Sequence, residues 1–149
     1  MPGIRERLAE DMKAAMRGKE ELRLATIRMI RSEILNKDKE HGKEAAEEDI
    51  LKVLQSMIKR REEAAGQFAK GGRPELAAKE RDELRIVQSY LPAQLGDEEL
   101  REAARAAVAE AGAATLKDMG KVMGVLSKRL AGRAAGARIS QAVKELLGG

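Results

Sequence analysis

The residues best suited to chemistry lie near the C-terminal end, where glycines and lysines share helical spacing. Gly120 and Gly124 are four residues apart within Asp118-Met119-Gly120-Lys121-Val122-Met123-Gly124. Each glycine inside a helix costs about 1 kcal/mol relative to alanine, so a face without side chains should serve some purpose. One interpretation is a tight crossing with a neighbouring helix. The other is close approach of a nucleic-acid backbone, whose phosphates nearby cations would neutralise.

Basic side chains surround these glycines. Residues 112–149 hold seven lysines and arginines against two acids, a net charge of +5, whereas residues 97–111 carry a net charge of −3. Arg133 lies between two glycines, in a segment that is either an anion-binding loop or only a flexible turn. Six residues are therefore candidate RNA contacts: Lys117, Gly120, Lys121, Gly124, Lys128 and Arg133.

Arginines nearer the N-terminus could form a second basic surface. They are Arg23, Arg28 and Arg31 on the second predicted helix and the run 59–61 on the third. Acids such as Glu33 lie close by in the sequence, and opposite charges three or four residues apart pair on a helix surface. A solvated, salt-bridged face is therefore the preferred interpretation.

Residues for catalysis are scarce. The single histidine, His41, lies in a predicted polar loop, and the chain has no cysteine, so the usual nucleophile and base pairs and thiolate metal sites are missing. The acidic run 47–49 is better explained by the dipole of a helix that begins there. Glu80 and Glu83 are expected to be solvated or paired with arginine or lysine. No glycine-rich nucleotide loop is present, and we predict no catalytic residue, no cofactor and no metal ion.

The composition predicts an all-α fold. Of 149 residues, 43% are hydrophobic, yet only Tyr90 and Phe68 are aromatic, and the abundant residues are helix formers. The net charge of +4 is a mild hint of an anionic partner. No apolar run approaches the ~20 residues of a membrane span, and the absence of cysteine gives no sign of an oxidising compartment. We therefore expect a cytoplasmic protein that has no membrane partner.

Apolar periodicity and helix-end signals divide the chain into seven predicted helices. Gly71-Gly72-Arg73-Pro74 predicts a turn that folds helices three and four into an antiparallel hairpin, and Pro92 ends helix four. The predicted organisation is an N-terminal helical bundle with a long helical hairpin, residues 1–92, followed by a small C-terminal three-helix domain, residues 93–149. The helices are predicted at residues 3–17, at about 19–37, from 47, from 74, after Asp97 until Gly112, from 115 and at about 136–147.

The spacing of apolar residues also predicts which side chains face the core. Apolar positions recur every three or four residues, as expected for one buried helix face. Asp97 is predicted to cap the fifth helix, and Thr115 with Asp118 to form a capping box before the sixth. The core positions predicted on the first, second and last helices include Ile4, Leu8, Met12, Met16, Leu22, Ala25, Met29, Ile30, Ile34, Ile139, Val143, Leu146 and Leu147.

Several segments, in order along nearly the whole chain, carry a family pattern. They are Leu22-Arg23-Leu24-Ala25-Thr26-Ile27-Arg28-Met29-Ile30, Asn36, Arg60-Arg61-Glu62, Phe68 with Gly71-Gly72-Arg73, Glu80 with Glu83, Tyr90-Leu91-Pro92-Ala93-Gln94-Leu95, and Asp118-Met119-Gly120-Lys121-Val122-Met123-Gly124. Together they resemble the GatB/YqeY family, and the length resembles a stand-alone YqeY-like protein. Two positions depart from the family's frequent residues: Ala135 replaces an acid and Ala64 replaces a serine.

The resemblance implies a helical bundle followed by a smaller helical domain. In the GatB subunit of the glutamine-dependent tRNA amidotransferase, the related tail packs against the tRNA elbow while the chemistry occurs elsewhere. By this analogy the chain is a tRNA-binding accessory module without its own catalytic site. The family label, a carbon–nitrogen ligase with glutamine as amido donor, is an alternative. The residues do not support it, because the catalytic GatB domain and the amidase subunit have no counterpart among them.

A binding module of another kind is the main rival. In this hypothesis the helical hairpin docks on a translation-related protein, and the basic charge is incidental. Salt dependence of RNA binding separates the two hypotheses, because only phosphate contacts release counterions.

Overall fold

The computed structural model describes residues 3–148, which form α-helices joined by short turns and contain no β-strand. This confirms the predicted all-α class. Seven α-helices and one 3₁₀ turn, Leu116–Asp118, occur in this range. The chain divides into two compact units, Met1–Leu91 and Pro92–Gly149. The helices are α1 (Ile4–Arg17), α2 (Glu21–His41), α3 (Glu47–Lys70), α4 (Pro74–Gln88), α5 (Asp97–Ala111), α6 (Met119–Arg129) and α7 (Gly136–Gly148).

The first unit is built on the predicted hairpin of α3 and α4. The turn between them places Gly72 at a φ of 73°, a left-handed conformation that favours glycine, and Pro74 opens α4. Helices α1 and α2 pack on this hairpin and share its core, which includes the fully buried Leu8, Ile27, Ile30, Ile50, Leu54, Met57 and Val87.

Helix α2 continues further than predicted. The polar residues 39–41 belong to its last turn, so His41 ends a helix and does not lie in a loop. The helix ends at Gly42, whose φ is 69° and whose N–H bonds to the Lys39 carbonyl, while Lys43 N–H bonds to that of Asp38. Polar side chains continue a helix without penalty on its solvent face, and only the left-handed glycine stops it.

Some predicted core positions are exposed. Met16 is 52% exposed, and Ala15 is buried in its place. The spacing of four drifts about 40° per step at 3.6 residues per turn, so Met16 lies roughly 120° from Ile4 while Ala15 lies about 20° from it. Ala25, Met29 and Leu146 are likewise exposed on their helices, contrary to prediction.

Polar contacts tie the start of α1 to the end of α2. Arg5 donates to both Asp38 carboxylate oxygens, at 2.9 and 2.6 Å, and to the Ala45 carbonyl at 3.2 Å. Ala45 N–H donates to Asp38 at 2.7 Å. The Arg5 hydrogen bonds, and then that of Ala45, lower the pKa of Asp38 to about 2. Glu47 accepts from Ile4 N–H at 3.1 Å and so satisfies a free donor at the start of α1.

The turn after α4 is held against α1 by Tyr90. This side chain is 3% exposed, and its hydroxyl donates to Asp11 at 2.5 Å. Burial and then the Asp11 hydrogen bond raise the pKa of Tyr90. The Arg7 guanidinium lies 5.0 Å from the centre of the ring and donates to the Ser89 carbonyl at 3.0 Å.

The second unit contains three α-helices around one core. The fully buried side chains of Ala104, Val122, Leu126 and Val143 form its centre. Asp97 does not cap α5 as predicted, because Gly96 holds the capping position; Asp97 pairs instead with Arg138 at 2.9 Å. No helix in the described part of either unit is long and apolar enough to cross a membrane.

Candidate nucleic-acid-binding surface

The start of α6 is fixed by the predicted capping box. Thr115 and Asp118 make the reciprocal contacts of this motif around the 3₁₀ turn. An oxygen of Asp118 accepts from the N–H groups of Ala114, at 2.9 Å, and Thr115, at 3.3 Å. These two bonds stabilise the charged carboxylate and so lower the pKa of Asp118. The turn is therefore ordered just before the lysines and glycines of α6.

Five residues form an exposed stripe along α6. At about 100° per residue they cover roughly 120° of the helix surface, and all are exposed. Val122 and Leu126, on the opposite side, are fully buried. Lys117 lies one turn earlier, in the 3₁₀ turn, and is also exposed. We call this set the α6 stripe: Gly120, Lys121, Gly124, Ser127 and Lys128.

The two glycines of the α6 stripe face open space. A Cβ atom built on Gly120 or Gly124 would meet no atom within 4 Å outside the local helix backbone. The interpretation as a tight helix crossing is therefore wrong within the described residues. Among the residues that the structure describes, no close packing at these glycines compensates for their low helix propensity.

The three lysines have different roles in the fold. Lys121 Nζ donates to the Ala111 carbonyl at 3.0 Å and so caps the end of α5. The side chains of Lys117 and Lys128 make no hydrogen bond or ion pair with any residue between 3 and 148. Their charges are therefore available to an external anion.

Arg133 lies outside the α6 stripe, in the segment after the helix. Its Nε donates to the Ala93 carbonyl at 3.2 Å, and its own carbonyl accepts from Leu95 N–H at 2.9 Å. Gln94 adds a bond to the Gly132 carbonyl at 2.6 Å. This glycine-flanked turn therefore clamps the segment that leads into α5, and Arg133 is partly a structural residue.

Ser127 was not singled out from the sequence. It follows Gly124 by three residues and Gly120 by seven, so it shares their face, and its hydroxyl could bond a phosphate oxygen. Its spacing from Gly120 and Gly124 could have indicated Ser127 as a candidate. Serine is so common on helix surfaces, however, that spacing alone does not identify a binding residue.

The salt-bridged interpretation holds for half of the basic residues singled out in the first unit: Arg23, Arg60 and Arg61 form ion pairs, whereas Arg28, Arg31 and Lys59 form none within residues 3–148. Arg60 contacts Glu33 at 3.1 Å, and Arg61 contacts Glu83 at 3.4 Å. Arg23 pairs with Glu20 at 3.1 Å. Among residues 3–148, no group of three or more histidine, aspartate or glutamate side chains could hold a metal ion. His41 is exposed at the end of α2.

Comparison with known proteins identifies the family. The sequence pattern of YqeY-like proteins matches residues 5–147, and the chain belongs to this family. "Altered inheritance of mitochondria protein 41, mitochondrial" of Pyrenophora tritici-repentis is 30% identical over 95% of this chain and 80% of the relative. The proteins of the same name from Kluyveromyces lactis and Vanderwaltozyma polyspora are 34% and 33% identical over 56% of this chain. These matches cover only 45% and 46% of those two relatives.

Proposed function

We propose that this protein is a tRNA-binding accessory module that contacts the RNA backbone and has no catalytic site of its own. The observation that carries the proposal is the α6 stripe, in which two open glycines lie among lysines on a face turned away from the core. Bare helix backbone allows a sugar–phosphate strand to approach, and the lysines supply the opposite charge.

The kind of RNA recognition follows from the side chains present. Two aromatic residues in the chain are too few for capture of single strands by base stacking, and Tyr90 is buried. The mode of binding that these side chains support is contact with the phosphates of a folded RNA. Resemblance to the tail of the tRNA amidotransferase favours tRNA as that RNA. A cytoplasmic location is part of this proposal and is supported by the absence of cysteine.

The test is a titration of the full chain with total cellular tRNA at several salt concentrations. If Lys117, Lys121 and Lys128 each neutralise one phosphate, log affinity should fall against log salt with a slope of roughly −2 to −3. Filter binding or fluorescence anisotropy measures the slope. Affinity that is absent, or independent of salt, would contradict the proposal and favour the protein-docking alternative.

The glycines of the α6 stripe are expected to trade stability for binding. Gly120→Ala and Gly124→Ala should each stabilise the protein by about 0.5 to 1 kcal/mol, because the added methyl meets nothing and helix propensity improves. The same methyl groups stand where the RNA backbone would approach, so tRNA affinity should fall by roughly three- to tenfold, or about 1 kcal/mol. Chemical unfolding and tRNA titration measure the two effects.

Gly66→Ala in α3 is the matched control. A Cβ there also meets nothing within 4 Å, so this change should stabilise the protein and leave tRNA affinity unaltered. If the α6 variants gain stability without losing affinity, the glycines are not an RNA contact.

A further inference from the structure

The surface between α1 and α2 forms an open groove whose side chains the proposed function does not use. Its volume is about 810 Å³. Met12, Met16 and Leu35 supply apolar surface, and Met16 and Leu35 are 52% and 53% exposed. We call this feature the α1–α2 groove. Methionine is adaptable and occurs often at surfaces that bind helices.

The rim of the α1–α2 groove is basic. The Arg28 side chain makes no hydrogen bond or ion pair within residues 3–148, and the Arg31 guanidinium contacts the sulfur of Met12 at 2.8 Å. Both arginines are exposed. The only carboxylate on the lining, Asp38, is already neutralised by Arg5. Two guanidinium charges therefore stand beside apolar surface without an acidic partner.

This face of α2 was predicted to be partly core. Ala25 and Met29 are exposed, because they lie about 160° around the helix from the fully buried Ile27. Together with Arg28, Ser32 and Leu35 they form a continuous exposed stripe at spacings of three and four residues. Arg61 of α3 contacts the sulfur of Met29 at 3.7 Å, and Arg28, Ser32 and Leu35 are exposed.

We propose that the α1–α2 groove binds an amphipathic helix of a partner protein, with an apolar face flanked by carboxylates. Charge complementarity favours this occupant, because guanidinium groups pair with carboxylates. Its apolar face would cover the exposed methionine and leucine side chains. A groove between two helices accepts a third by interlocking of side-chain ridges. RNA fits less well, because phosphates would leave Met16 and Leu35 uncovered.

The test uses two labelled synthetic helices of about 14 residues, roughly the 21 Å length of α1. Both carry the same leucine stripe, flanked by glutamates in one and by lysines in the other. In fluorescence anisotropy, the full chain should bind the acidic peptide roughly tenfold more tightly than the basic one. Equal affinity for the two, or no binding of the acidic peptide, overturns the proposal.

Variants then locate the binding site. Arg28→Glu with Arg31→Glu should weaken binding of the acidic peptide by roughly tenfold, and Leu35→Ser by roughly fivefold. All three residues are exposed, so circular dichroism should show an unchanged fold. Lys79→Glu with Lys144→Glu changes the net charge equally, on exposed lysines outside the groove, and should have little effect. Equal weakening by both double variants would mean attraction by net charge alone and would overturn the proposal.

Two other occupants have distinct signatures. If the wild type is a dimer in sedimentation experiments and Leu35→Ser makes it monomeric, a second copy of the chain occupies the groove. If Arg28→Glu with Arg31→Glu abolishes tRNA binding and the acidic peptide does not bind, the arginines belong to an RNA surface. Either result overturns the peptide proposal, and neither depends on the lysines of α6.

Discussion

Lys117→Glu combined with Lys128→Glu is expected to lower tRNA affinity by about 25- to 60-fold at about 0.1 M salt. Each phosphate contact raises log affinity at that salt by roughly 0.7 to 0.9 relative to 1 M, through counterion release, and two such contacts are lost. The slope of log affinity against log salt should become shallower by roughly 1.4 to 1.8. Titration of wild type and variant over a range of salt concentrations measures both quantities.

These two lysines make a cleaner test than the other cations of the second unit. Lys121 and Arg133 donate to the carbonyls of Ala111 and Ala93, so replacing them would disturb the end of α5 and the segment before it as well as any RNA contact. Lys117 and Lys128 have no such bonds within residues 3–148, so their replacement should shift the unfolding transition only slightly, through loss of the Lys128 charge in the last turn of α6.

The matched control is Lys79→Glu with Lys144→Glu, which alters the net charge by the same amount at other exposed positions. If this control loses as much affinity as the variant with Lys117→Glu and Lys128→Glu, binding reflects overall charge and not a defined surface. Undiminished tRNA binding by the variant with Lys117→Glu and Lys128→Glu would also remove the support for the proposed function.

Tyr90→Ala is expected to destabilise the first unit by about 3 to 5 kcal/mol, the usual range for truncation of a buried aromatic side chain. The ring is 3% exposed and fills the space between α4 and α1, and Arg7 lies over it. The change also removes the hydrogen bond to Asp11. Denaturant unfolding followed by far-ultraviolet circular dichroism gives the free energy of unfolding.

Tyr90→Phe separates the ring from its hydroxyl. This variant should lose only about 1 to 2 kcal/mol, because packing is kept and one hydrogen bond to a charged acceptor is lost. Arg23, 3.6 Å from Asp11, continues to compensate that carboxylate. A cost for Tyr90→Ala no greater than that of Tyr90→Phe would show that the ring does not anchor the turn after α4. Leu146→Ala, at a 42% exposed position, serves as a nearly neutral control.

The end of α4 illustrates a limit of local prediction. Pro92 correctly indicated that the helix stops nearby, since a residue before proline is disfavoured in helical geometry. Nothing local indicated that Tyr90 would bind Asp11, 79 residues earlier in the chain. A local rule locates the turn, and a contact between distant residues holds it in place.

The candidate site was likewise predictable only in part from local sequence. The spacing of Gly120, Lys121, Gly124 and Lys128 was sufficient to place them on one side of a helix, because helical geometry depends only on sequence separation. The sequence left open whether that side was packed or exposed. In the structure that side of the helix is exposed. Lys121 and Arg133 also have a structural role, because they donate to the distant carbonyls of Ala111 and Ala93.

The amino-acid sequence alone determined the helical class, most helix ends and the capping box of Thr115 and Asp118. These features depend on backbone preferences and on contacts within a few residues. Only the tertiary structure decided which side of each helix is buried, because a helix can bury a side chain only where another helix covers it. Met29 and Leu35 show this: they are as apolar as their buried neighbours on α2, yet they are 38% and 53% exposed because the core packs against another side of that helix.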